Sequence, residues 1–271
     1  MLGFQNLHTH TTYCDGTLPP EGMVKAALAK GCSSLGFSEH SHVPFDIYYS
    51  MDAAAAAEYM SEVRALQLKY EGIIEIFLGL ELDYCSVDVP AGLDYTIGTL
   101  HYVEVGGEFK PVDAGLDAQK ELVATCFGSD FYSFAEAYYS VFAKIVKKTK
   151  ADIIGHFDLV SKFNIDGSLF DEMHPRYVDA ALFAMSEILK ERNLFEVNTG
   201  AMFRYNKTVP YPSPFLLKEL RQRGGEVILS SDSHDGDSIG FMFPQVSELL
   251  RSCGFKHIKR LTGNGFVNVD L

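Results

Sequence analysis

The chain has 271 residues, 47% of them hydrophobic, and a formal net charge of −13. That length allows one large α/β barrel or two smaller domains, and no apolar run is long enough to span a bilayer. The acidic balance counts against nucleic acid as a partner, because phosphate backbones need a basic footprint, but it leaves room for a small anion held by a few local cations.

The apolar run from Gly3 to Leu7 reads as a first strand and leads into His8-Thr9-His10, with Asp15 five residues on. Side chains repeat with period two in a strand, so the two imidazoles face one side. Pro19-Pro20-Glu21 opens a helix that stops at Gly31, with proline in the first turn and glycine past the end. A short strand, Ser34 to Ser38, precedes Glu39-His40-Ser41-His42. Asp52 caps a second expected helix through Tyr70, rich in alanine. Ile73 to Leu80 is a buried strand ending in Glu81, and Tyr95 to Leu100 is another, ending in His101.

The stretch 102–130 is irregular: a hairpin over Val103 to Phe109 turning at Gly106-Gly107, then an inserted excursion that can serve as a lid or pocket wall. A helix is expected from Phe131 to Lys148, then a strand from Asp152 to Gly155 ending in His156. After a polar loop come a helix over Arg176–Arg192 and a strand from Leu194 to Val197 ending at Asn198-Thr199-Gly200. Ser213-Pro214 opens a helix to Arg221, and the strand from Glu226 to Leu229 ends in Ser230-Ser231-Asp232-Ser233-His234. A last helix, Gln245 to Ser252, closes at Gly254, and the tail holds short apolar stretches.

Seven strands alternating with helices imply parallel pairing and right-handed crossovers. The expected architecture is a single α/β domain over residues 1–271, a distorted (β/α)7 TIM-like barrel with the excursion around 102–130; an open doubly wound sheet is the alternative. No glycine-rich phosphate loop follows the first strand, which counts against dinucleotide binding. The five cysteines, Cys14, Cys32, Cys85, Cys126 and Cys253, are odd in number and form no Cys-x-x-Cys, which suits reduced thiols in a cytoplasm. The first strand starts close to Met1, leaving no room for a signal peptide, so a cytoplasmic protein is expected.

In a βα barrel, catalytic groups gather where the strands end. Of nine histidines, only His174 and His257 follow no strand, and both read as surface residues. His8, His10, Asp15, His40, Glu81, His101, His156, Asp232 and His234 thus make nine candidate metal ligands. One catalytic zinc uses about three protein ligands, so nine fit two or three ions. The nitrogen and oxygen donors suit zinc, manganese or ferrous iron. Cys14 and Cys85 read as packing residues. Arg204, six residues past Asn198, is a candidate for bidentate phosphate binding, Lys162 is a second cation, and His42 is a candidate acid for the leaving group.

These motifs resemble the polymerase-and-histidinol-phosphatase (PHP) superfamily along essentially the whole chain. Leu7 to Gly16, Gly36 to His40, Asn198-Thr199-Gly200 and Pro210 to Ser213 are similar to the stand-alone L-histidinol-phosphate phosphatases. The resemblance implies a distorted (β/α)7 barrel with a trinuclear centre. His8, His10, Glu81 and Asp232 would hold one ion. Glu81 would bridge to a second, completed by His101 and His156, and Asp15, His40 and His234 would hold the third. It also implies a small phosphorylated substrate, L-histidinol phosphate. The rival functions are a PHP-type nucleotide phosphatase or nuclease, a phosphotyrosine-protein phosphatase, and a non-catalytic metal-binding module.

Overall fold

The computed structural model describes residues 3–271. In chain order the elements are β1 (Phe4–Asn6), α1 (Pro20–Ala29), β2 (Cys32–Phe37), α2 (Ala53–Lys69), β3 (Glu75–Asp83), β4 (Tyr95–Thr99), β5 (Tyr102–Val105), β6 (Glu108–Pro111), α3 (Leu116–Cys126), α4 (Phe131–Phe142), α5 (Ile145–Thr149), β7 (Ile153–Ile154), α6 (Pro175–Leu189), β8 (Leu194–Asn198), α7 (Gly200–Arg204), α8 (Pro214–Gln222), β9 (Glu226–Ser230), α9 (Phe243–Ser252), β10 (His257–Thr262) and β11 (Gly265–Asp270). Local signals set many of the ends. Asp52 accepts from the Ala55 amide at 2.8 Å and starts α2, and Gly31, at φ 77, takes the left-handed conformation just past α1.

Seven parallel strands run in the order β1-β2-β3-β4-β7-β8-β9. The ring closes only beyond the last strands: Thr9 bridges Ser233, with the His10 amide on the Ser233 carbonyl at 2.8 Å. At the other end the antiparallel hairpin β10–β11 fills the opening. There the Gln5 amide donates to the Leu261 carbonyl at 2.9 Å and accepts from its N–H at 2.8 Å. Leu261 joins Leu7, Tyr95, Ile97, Ile153, Leu194 and Ile228 in the apolar barrel interior.

Outward residues of β2 and β3 pack on α1 and α2, while those of β7, β8 and β9 pack on α4, α6 and α8. This is the nearly closed barrel expected from the alternation of elements. Four local departures stand out. The second half of the 102–130 excursion contains α3, whose buried face is only Gln119 and Val123 and gives a weak apolar period. The helix expected over 131–148 breaks into α4 and α5. Arg204 ends a short helix, α7, rather than lying on a loop. The tail is the β10–β11 plug.

Candidate metal centre

The floor of the site is the apolar interior, and one layer above it the strands turn polar: Thr99, Glu196 and Ser230 are buried there. Tyr95 fills the space beneath. Its hydroxyl donates to the Leu7 and Phe37 carbonyls, and a Cβ at Gly36 or Gly79 would meet its side chain at 2.4 Å. Glycine is required at both positions because no larger residue leaves room for the ring.

Above this layer the nine expected donors cluster, with five histidines converging on Glu81. Its Oε2 lies 3.3 Å from His8 Nε2, 3.4 Å from His10 Nε2 and 2.8 Å from His40 Nδ1. Its Oε1 lies 3.0 Å from His156 Nε2 and 3.5 Å from His101 Nε2. Asp232 Oδ1 is 3.4 Å from His10 Nε2 and 3.5 Å from His234 Nδ1. Asp15 reaches His234 Nε2 at 3.0 Å and His40 Nε2 at 3.7 Å. Among the described residues four sets of donor atoms lie within 4.8 Å of one another: His8, His10 and Asp232; His10, Asp15, His40 and His234; His40, Glu81 and His101; and His10, Cys14 and Glu39. His40 therefore faces Glu81 with one nitrogen and Asp15 with the other. Asp232 sits at φ 47, a left-handed backbone uncommon outside glycine; such strain persists where the surroundings over-determine it.

These residues fit divalent cations. His8 Nε2, His10 Nε2 and Glu81 Oε2 are buried, face one another and have no hydrogen-bond partner. Each orphaned polar atom costs on the order of 1–3 kcal/mol, and a cation at that focus satisfies all three. Burial favours neutral imidazoles, but the facing carboxylates outweigh it at His8, His40 and His101 and hold all three above the ordinary histidine range, so a cation binding there would have to displace their protons. Burial, together with His234 and His40, pushes the His10 imidazole down to about 3, so it is neutral. Burial works to raise the Glu81 carboxyl, but His40, His8 and His101 outweigh it and hold it well below the usual range.

The cluster lines one side of a cavity of about 380 Å³, whose other walls include Asp46, Tyr49, Tyr102, Asp113, Lys162, Arg204 and Tyr205. Arg204 donates from Nη2 to the Asp232 carboxylate at 2.9 Å and from Nη1 to its carbonyl at 2.7 Å, and Nη1 also touches His234 Nδ1. Lys162 is buried against Asp113 at 2.8 Å, 5.0 Å over the Tyr205 ring. Burial tends to raise the Asp113 carboxyl, yet Lys162 and His101 hold it at about 2. The 102–130 excursion thus supplies a wall, through Tyr102, Pro111, Asp113 and Ala114.

His42 does not join this cavity. It lines a separate one of about 370 Å³ with Tyr13, Cys14 and Asp52, and Tyr49 borders both. The structure thus places His42, the candidate acid for the leaving group, in the lining of the neighbouring cavity. Cys14 does more than pack: its thiol lies 3.4 Å from His10 Nδ1 and donates to Glu39 Oε2 at 2.6 Å. His257 is exposed, whereas His174 is half-buried, accepts from the Arg176 amide and stacks on Tyr132. Sequence reasoning passed over two carboxylates behind the donors. Asp83 accepts from His101 Nδ1 at 3.2 Å, and Glu196 from His8 Nδ1 at 2.5 Å. The available signal was a charged residue at an inward position of an apolar strand.

Fold and donor set define a seven-stranded barrel protein built to hold divalent cations at the C-terminal mouth of its strands. The PHP domain model matches residues 6–200, well over half of the chain. The chain belongs to the PHP domain family. It is 30% identical to a probable histidinol-phosphatase of Deinococcus radiodurans, over 96% of this chain and 99% of that protein. It is 24% identical to the histidinol-phosphatase of Bacillus subtilis, over 87% of this chain and 95% of that protein. The fold matches the crystal structure of a histidinol phosphate phosphatase from Lactococcus lactis, complexed with zinc, L-histidinol and phosphate. The TM-score is 0.77 at 20% identity, covering 98% of this chain and all of the other.

Proposed function

We propose that this chain is a metal-dependent phosphomonoesterase that hydrolyses L-histidinol phosphate to L-histidinol and phosphate. The observation that carries it is the convergence of nine nitrogen and oxygen donors, with orphaned atoms at their focus, on one wall of a cavity sized for a small molecule. The names of the relatives from Deinococcus and Bacillus, matched over nearly their whole length, support the substrate.

Two or three divalent ions, zinc, manganese or iron, would be held by His8, His10, Glu81 and Asp232, by Glu81, His101 and His156, and by Asp15, His40 and His234. Bound there, they make water a stronger nucleophile and neutralise charge on the phosphate oxygens. The chain's own residues do the rest. Arg204 braces Asp232 and His234, and among the described residues its Nε has no partner, so the guanidinium keeps donors for the phosphate. Lys162, held by Asp113, adds a second positive charge on the far wall. Asp46 accepts from the Tyr102 hydroxyl at 3.0 Å and has no cationic partner among the described residues, so it offers a negative charge to the substrate's amine. The apolar floor keeps water from entering beneath the donors. A cytoplasmic location fits this role, and among the described residues no helix is long and apolar enough to cross a membrane.

A turnover screen of the metal-loaded protein against histidinol phosphate, mononucleotides and phosphotyrosine peptides tests the proposal. Histidinol phosphate is expected to lead. A nucleotide or peptide turned over equally well overturns the substrate and leaves only a phosphoesterase.

A further inference from the structure

Glu196 sits behind the donors, against His8 Nδ1 and away from the focus that His8 Nε2 faces, and we propose that it is the positioning residue that presents His8 to the metal. The inference rests on the metal-dependent function above and extends it to the layer beneath the ligands. Along β8, Leu194 faces the barrel interior while Phe195 and Val197 face the helices. Period two therefore turns Glu196 inward, one layer above the apolar floor. A carboxylate buried there is costly unless it is paired and hydrogen-bonded.

Glu196 has four such partners. Oε1 accepts from His8 Nδ1 at 2.5 Å and from the Ser230 hydroxyl; Oε2 accepts from the His156 amide at 2.8 Å and from Asn198 Nδ2 at 2.9 Å. The His8 contact settles which nitrogen carries the hydrogen. With Nδ1–H given to Glu196, the lone pair lies on Nε2, the atom that faces Glu81 and Asp232. The other contacts extend the hold. The amide bond fixes the main chain at His156, and Asn198 passes from Glu196 to the Asp232 carboxylate at 3.3 Å. One side chain thus aligns ligands from the ends of three strands. Carboxylates behind a ligating histidine fix its tautomer and raise its basicity, and losing one typically weakens metal affinity about 10–100-fold.

The test compares wild type with Glu196→Gln by zinc titration against a competing chelator, alongside thermal unfolding of both metal-free proteins. Glutamine keeps the size but cannot accept four hydrogen bonds. The expected result is unfolding within a few degrees of wild type without metal, and at least about tenfold weaker binding of one ion while another is retained. Affinity unchanged within twofold overturns the inference, as does a loss confined to metal-free stability. Long-range proton–nitrogen correlation spectra of the zinc-loaded wild type serve if the variant does not fold: His8 is expected to be protonated at Nδ1 and coordinated at Nε2, and coordination at Nδ1 overturns the inference. Wild type that takes up no zinc overturns the metal-dependent function as well, whereas wild-type uptake matched by Glu196→Gln overturns this inference alone.

Discussion

Arg204 is tied to two candidate ligands, Asp232 and His234, and still lines the cavity. Its removal therefore loosens ligands and takes a donor from the phosphate. Arg204→Ala is expected to lower kcat/KM for histidinol phosphate by about 10²-fold or more, corresponding to roughly 3 kcal/mol for a charge-assisted hydrogen-bonding group. Steady-state kinetics decide it, and a change of only a few-fold would remove Arg204 from phosphate binding. Asp232→Asn offers a cleaner cut. Asparagine tolerates the left-handed backbone at this position, so the barrel should fold with a normal circular dichroism spectrum while turnover is abolished. His42 makes the contrast. It lines the neighbouring cavity and not the one with the donors, so His42→Ala is expected to keep kcat/KM within about threefold, a change of less than 1 kcal/mol.

At the scale of elements, the β5–β6 hairpin and the 43–50 segment lock together over the cavity. Phe45 packs edge-on against Tyr102 at 5.0 Å, and the Tyr49 and Tyr102 hydroxyls meet. Tyr102 also binds Asp46, a carboxylate on the cavity wall with no ion-pair partner among the described residues. Asp46→Asn is expected to raise KM for the cationic histidinol phosphate about fivefold, equivalent to roughly 1 kcal/mol for a partly screened charge pair. p-Nitrophenyl phosphate, which carries no amine, should be nearly unaffected; an equal effect on both would remove the electrostatic account. The strands beneath are just as demanding. A Cβ at Gly79 would meet the Tyr95 ring at 2.4 Å, so Gly79→Ala should destabilise the barrel by about 1–3 kcal/mol in urea unfolding.

For the whole molecule, the donors come from strands far apart in the chain, from His8 to His234, and the ring closes where Thr9 meets Ser233. Bound ions are therefore cross-links as well as cofactors. Chelator treatment is expected to abolish turnover and lower the melting temperature together, and reloading with zinc or manganese should restore both. Elemental analysis after reloading should find more than one ion per chain; a single ion would sink the multinuclear centre. The −13 net charge adds selectivity at long range. A mononucleotide lacks the cationic amine that offsets the phosphate charge of histidinol phosphate, so kcat/KM should favour histidinol phosphate by at least about 10²-fold.

Strand endings were legible because barrel chemistry sits where strands stop: His8, His40, Glu81, His101, His156 and Asp232 could each be placed from an apolar run and the polar residue after it. Helix α2 was legible from its cap, and the β5–β6 turn from Gly106-Gly107. These features are local, and propensity, period and turn chemistry act within a few residues. What only tertiary structure decided depends on contacts between distant segments. The apolar tail became a plug because Gln5 pairs with Leu261. His42, two residues from a candidate ligand, falls in the lining of a neighbouring cavity. Glu196 acquired its role from four partners on other strands and on its own. A side chain's neighbours across a barrel are fixed by strand order and register, which chain closure sets and no local pattern encodes.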